Sequence, residues 1–173
     1  MKTALGPAAF LLAAVLLQGV LPGAAAGAFV DLVLVAVVAV GLRHGRVAGL
    51  ASGAITGLLQ DALGGGILGL SGLGKSVAGY LAGVAATQFI VAGAAARGLV
   101  FAGGTLVSAA GFMGLSVLLG LRRYDHPLLE AGSQAIANAA AGVLLLAAWD
   151  FAPSVKRWAE AAAERRRKRR SFR

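Results

Sequence analysis

The chain has no cysteine and little charge, and both shortages limit what it can be. Charged residues make up 13% of its 173 residues, about half of the ~25% found in an ordinary soluble domain. The absence of cysteine excludes disulfides, thiolate metal sites and cysteine nucleophiles. With 58% hydrophobic residues and a mean hydropathy of +0.82, the apolar surface is too large for one soluble core. We therefore predict an integral membrane protein.

Recognisable catalytic patterns are also missing from the sequence. It contains no HExxH pair, no GxSxG elbow, no P-loop and no GxGxxG motif after a strand. His44 and His126 fall in predicted loops on opposite sides of the membrane, so they cannot share a metal ion. The sequence therefore predicts no catalytic residue, no metal site and no cofactor, and an enzyme is not expected.

Long apolar runs predict an all-α, six-transmembrane-helix bundle. A helix rises about 1.5 Å per residue, so a hydrocarbon core of about 30 Å needs about 20 apolar residues. We divide the chain into a transmembrane domain over residues 1–152 and a basic cytoplasmic tail over residues 153–173. The predicted spans are 3–21, 25–42 with Asp31 in its first turns, 47–63, 67–90, 98–121 and 129–149.

Basic residues in the short loops predict the orientation. Arg43 and Arg46 follow the second span, Arg97 follows the fourth, and the basic tail follows the sixth. The positive-inside rule places these segments, and hence both termini, in the cytoplasm. Residues 4–28 also resemble a cleavable secretory signal, but their apolar run is longer than a usual signal core, so retention is favoured.

Glycines recur every four residues in two of the predicted spans. A face without side chains lets two helices approach closely, which is how helices associate in lipid. Packing within the bundle is the favoured interpretation, and a docking groove for a partner's transmembrane helix is the alternative. The glycines concerned are Gly45, Gly49, Gly53 and Gly57 in the third span and Gly79 and Gly83 in the fourth.

Lys75 is the most informative single residue, because a charge about 12 Å into the fourth span is costly without a partner. Asp61, at the end of the third span, is the predicted partner. A structural ion pair is favoured over a transport or proton-relay role. Gln88, Gln134 and Asn138 are expected to make interhelical hydrogen bonds.

The end of the chain is strongly basic. Its cationic residues are expected to lie on anionic lipid headgroups, at about 1 kcal/mol per basic residue near the surface. The alternative is a disordered end that only sets the topology. The residues predicted to contact lipid are Arg165, Arg166, Arg167, Lys168, Arg169 and Arg170.

Residues 31–83 resemble a known protein family more closely than the remainder of the chain does. Asp31 opens an apolar span, an Arg/Gly turn covers residues 43–46, and an AGxxxG motif follows. The pattern LxxDxLxxGxLGLxxLxK then runs over residues 58–75, and GYLAG ends the segment. This segment resembles the core of the MreD family of rod shape-determining proteins.

The resemblance implies a non-enzymatic adaptor in the bacterial cytoplasmic membrane. Such a protein would bind the scaffold MreC and act alongside MreB filaments, the glycosyltransferase RodA and a class B penicillin-binding transpeptidase. It also implies a fold similar to the substrate-binding subunits of energy-coupling-factor vitamin transporters. The alternative function is therefore a small-molecule-binding transporter subunit, but such a pocket needs converging polar or aromatic groups. Aromatic residues are only 6% of this chain.

Overall fold

The computed structural model describes residues 2–20, 30–65, 67–89, 91, 93–121 and 125–171, with side chains from residue 6 to residue 151 within these ranges. The described residues form six α-helices and no β-strand. The helices are α1 (Lys2–Val20), α2 (Leu32–His44), α3 (Arg46–Gly64), α4 (Leu70–Gln88), α5 (Ala94–Leu118) and α6 (Pro127–Ser171).

Helix α2 is the central element of the bundle and contacts all five other helices. Its residues 32–42 are apolar on every face, which is typical of a helix enclosed by protein, and residues 33–41 are all buried. Leu34 and Val38 form one core with Ala78 of α4 and Phe101 of α5. With 13 residues, α2 is about 20 Å long, which is shorter than the hydrocarbon layer.

The outer helices carry the large apolar side chains that remain exposed. Val20, Leu99, Leu118, Leu128 and Ile136 are each at least 74% exposed. Among the described residues, two helical segments are long and apolar enough to cross a membrane, Ala94–Leu118 and Pro127–Phe151. An outward apolar surface around a buried polar interior is the arrangement that lipid stabilises.

Several helix boundaries differ from the predicted spans, and α5 occupies Ala94–Leu118 instead of 98–121. Asp31 is the N-cap of α2 instead of a residue in its first turns, and residues 25–29 of that predicted span lie outside the described residues. Helix α4 begins at Leu70 instead of residue 67, because Gly65 and Gly69 take left-handed conformations in the intervening turn. Helix α6 continues across the predicted domain boundary at residue 152.

A buried polar network and an arginine pocket

Lys75 forms an ion pair with Asp31 inside the bundle. Its Nζ donates to Oδ2 of Asp31, and the side chains are 4% and 16% exposed. The other carboxylate oxygen of Asp31 accepts from the Leu34 backbone N–H at 2.9 Å, which is the usual N-cap geometry. The pair thus joins α4 to the beginning of α2 and carries no net charge.

Polar side chains from three further helices surround this pair. Asn138 of α6 accepts from the Asp31 backbone N–H at 2.9 Å and donates to the Thr105 hydroxyl of α5 at 3.1 Å. Gln18 of α1 accepts from the Leu32 backbone N–H at 2.9 Å. The prediction of an interhelical hydrogen bond is therefore confirmed for Asn138, which is fully buried, and it stays a prediction for Gln88 and Gln134. We call these five side chains the polar network: Gln18, Asp31, Lys75, Thr105 and Asn138.

The predicted pairing of Lys75 with Asp61 is corrected by this geometry. Oδ2 of Asp61 accepts from the backbone N–H groups of Gly69 and Ser71, at 2.8 and 3.1 Å. Asp61 therefore supplies acceptors where α4 begins, since the first N–H groups of a helix have no partner within it. Because α4 begins three residues later than predicted, Lys75 lies about 8 Å from its start, where Asp31 is the carboxylate in reach.

The glycines of α3 lie against the backbone of α4. A Cβ atom added at Gly49 or Gly53 would come under 3.0 Å from backbone atoms of Gly79 or Lys75, and one at Gly57 would meet Gly72 in the same way. Real Cβ atoms essentially never lie so close to a non-bonded neighbour, so only glycine allows this approach. The glycine stripe therefore packs α3 on α4 and places the backbone of Lys75 against one helix while its side chain reaches another.

Two glycines change the predicted stripe at its end near α2. Gly45 is not on α3 but is the residue between α2 and α3, where its φ of +86° requires the freedom of glycine. Gly41 of α2, which sequence reasoning missed, lies beside Gly49 and the carbonyl of Gly79. Gly83 packs on the backbone of Arg46. Helices α2, α3 and α4 thus meet backbone to backbone.

A pocket of about 260 Å³ opens where α2 ends and α5 begins. Arg43 and Arg97 both form ion pairs with the carboxylate of Asp150, and the Arg97 contact measures 2.7 Å. The guanidinium of Arg43 also lies 4.8 Å from the ring centre of Trp149. The apolar lining of the pocket consists of Leu42, Ala86, Val91 and Leu146.

The chemistry available in these two places is binding and positioning. In the polar network one carboxylate oxygen of Asp31 accepts from a cation and the other from an N–H group, and the described residues hold no group of three or more potential metal ligands. Sequence reasoning missed Asp150, although it is an acidic residue at the end of the sixth predicted span, on the side assigned to Arg43 and Arg97. Thr105 and Gln18 were also missed, since a single hydroxyl or amide in an apolar helix carries no spacing signal.

Comparison with known protein families identifies the chain. The MreD family, described as rod shape-determining protein MreD, matches residues 2–148. The chain belongs to the MreD family. No curated protein and no solved structure is significantly similar to it.

MreD proteins are membrane-associated and act in rod shape determination, and MreD is not a known enzyme family. The MreD match includes every residue of the polar network, whereas Asp150 lies two residues beyond its end. The resemblance read from residues 31–83 is therefore confirmed over a much longer stretch. The alternative of a transporter subunit gains no support from the comparisons.

Proposed function

We propose that this MreD chain is a non-enzymatic adaptor that binds an MreC-type scaffold in the bacterial cytoplasmic membrane. Through that scaffold it acts alongside MreB filaments, RodA and a class B penicillin-binding transpeptidase. The observation that carries the proposal is the family match over residues 2–148. An adaptor needs a stable shape more than a reactive group, and the interior of this bundle is organised for stability.

The proposed topology is six membrane-spanning segments with both termini in the cytoplasm. Arg43, Arg46 and Arg97 lie at the end of the bundle where α2 and α4 finish, which the positive-inside rule assigns to the cytoplasm. The exposed leucines of α5 and α6 support lipid contact around the bundle. A fold similar to the substrate-binding subunits of energy-coupling-factor transporters is part of the same proposal, and it says nothing about function.

The scaffold would bind the outer faces of the bundle. The glycine stripe of α3 is covered by α4, so a partner helix cannot occupy it without separating the two helices. Ile55 and Leu59 of α3 are 61% and 42% exposed, whereas the side chain of Leu58 lies beside Gly72 of α4. Membrane helices associate through close packing and hydrogen bonds, because lipid supplies no hydrophobic drive between them.

Two experiments test the adaptor. Clean depletion should turn rod-shaped cells round while vitamin uptake stays unchanged, and a plasmid copy should restore the rods. Tagged protein, purified from its native membrane in mild detergent, should retain a single-span scaffold together with cell-wall synthases. An unrelated tagged six-span protein is the control. Normal rods after depletion, or co-purification of an ATPase pair with a bound vitamin, would contradict the proposal.

A further inference from the structure

The pocket formed by Arg43, Arg97 and Asp150 lies outside the polar network, and the adaptor function makes no use of it. We propose that it binds the phosphate group of an anionic phospholipid in the cytoplasmic leaflet. The inference rests on the membrane placement given above, and on nothing about the scaffold.

The level of the pocket agrees with the level of phospholipid headgroups. Arg97 lies in the first turn of Ala94–Leu118, and Asp150 is the first charged residue after the uncharged run 131–149 of α6. Ala94–Leu118 and Pro127–Phe151 are the two segments that are long and apolar enough to cross a membrane, and they pack on each other. The level at which α5 begins and the uncharged run of α6 ends therefore marks the boundary between hydrocarbon and water. Trp149, which contacts Arg43, is of the residue type that favours this boundary.

The charge of the pocket favours an anion. Two guanidinium groups face one carboxylate, so the three side chains carry a net charge of +1. Both guanidinium groups bond to the same carboxylate, so they are close enough to share one further anion. A guanidinium has five N–H groups, and the two side chains are 30% and 25% exposed, which leaves donors within reach of a ligand. Arginine is the residue best suited to phosphate, because its planar fork donates two parallel hydrogen bonds.

The lining of the pocket matches an amphipathic ligand better than a free ion. Leu42, Val91 and Leu146 add an apolar lining to the charged one. A phospholipid presents a phosphate next to glycerol and acyl groups, so one molecule would satisfy both linings. Basic pockets between transmembrane helices on the cytoplasmic side are known to bind lipid headgroups.

Native mass spectrometry of the full-length protein, titrated with phosphatidylglycerol or phosphatidylcholine in detergent, tests the proposal. The unmodified protein should bind one phosphatidylglycerol molecule more tightly than it binds further phosphatidylglycerol molecules or phosphatidylcholine. Arg97→Gln should weaken the binding of that one molecule by about tenfold. Arg97→Lys, which keeps the charge but loses the fork, should give an intermediate loss. Arg46→Gln is the matched control, because it removes an exposed arginine at the same end of the bundle outside the pocket lining. Lipid bound by the basic tail is a background common to all variants.

Asp150→Asn separates a lipid site from a purely structural latch. This change removes the carboxylate that competes with the phosphate for the two arginines, so the affinity for phosphatidylglycerol should stay the same or increase. A loss in Asp150→Asn as large as that in Arg97→Gln would overturn the proposal, and so would equal losses in Arg97→Gln and Arg46→Gln. Displacement of the lipid by inorganic phosphate at millimolar concentration would assign the site to a free anion instead. None of these outcomes depends on scaffold binding.

Discussion

Removing the two charges of the buried ion pair one at a time should have unequal effects. In Asp31→Asn, Lys75 keeps its charge in a site where its side chain is 4% exposed, and removing one partner of a buried pair costs roughly 3–5 kcal/mol. Asparagine remains a good N-cap, so the hydrogen bond to Leu34 is preserved and the loss measures the charge. We therefore expect Asp31→Asn to lower the free energy of unfolding by about 3–5 kcal/mol.

Lys75→Met should cost less than Asp31→Asn. The carboxylate of Asp31 would still accept from the Leu34 N–H group, and it lies at the N-terminus of α2, where a negative charge gains up to about 2 kcal/mol from the helix dipole. Methionine also replaces the buried stem of lysine with little change of volume. The expected loss is about 1–3 kcal/mol.

The double variant gives the decisive comparison. With both charges gone, no unpaired ion remains in the polar network, so Asp31→Asn combined with Lys75→Met should be more stable than Asp31→Asn alone. Reversible unfolding of the full-length protein in mixed micelles, followed by tryptophan fluorescence, measures all three. Asp125→Asn, an exposed change in the loop before α6, is the control and should stay within about 0.5 kcal/mol. The reasoning is refuted if the second change lowers stability further, or if Lys75→Met is the more damaging single variant.

Three further predictions use the same measurement of the free energy of unfolding. Gly53→Leu should lower it by more than about 2 kcal/mol, since the new Cβ would overlap the backbone of α4. Gly103→Ala, at a position with open space, is the control and should raise it by about 0.5–1 kcal/mol. Equal effects of the two changes would contradict the packing of α3 on α4. Asn138→Leu should lose about 1–3 kcal/mol, because it leaves the half-buried backbone N–H of Asp31 without an acceptor, and an unchanged stability would show that water replaces it. Asp61→Ala should lose about 1 kcal/mol, because it removes a helix cap, and this loss should be additive with that of Lys75→Met. A coupling energy above about 0.5 kcal/mol would instead indicate that Asp61 pairs with Lys75.

The packing of α3 on α4 is the part of the fold that could be predicted best. A glycine every fourth residue needs no knowledge of the partner, because the spacing alone creates a face without side chains. The sequence does not indicate which helix covers that face. Gly41, the contribution of α2, is a single glycine in an apolar helix and has no spacing to reveal it.

The partner of Lys75 could not be predicted, because it depends on where a helix begins. Asp61 is closer in sequence, but the turn through Gly65 and Gly69 directs the first N–H groups of α4 towards its carboxylate. Asp31 lies 44 residues from Lys75, and only the packing of α4 against α2 brings the two together. The need of a buried lysine for a carboxylate follows from elementary electrostatics, whereas the choice between two carboxylates requires the fold.

Hydropathy also could not show that α2 is enclosed by protein, since lipid and a protein core favour the same apolar residues. At about 20 Å, α2 is too short to cross a layer of about 30 Å. If it ends at the level of the arginine pocket, it begins about 10 Å inside the hydrocarbon, where water cannot satisfy the first N–H groups of a helix. Three such backbone N–H groups have a protein acceptor instead. Those of Asp31 and Leu32 donate to the side chains of Asn138 and Gln18, and that of Leu34 donates to the carboxylate of Asp31. The position of the polar network thus follows from the length of α2.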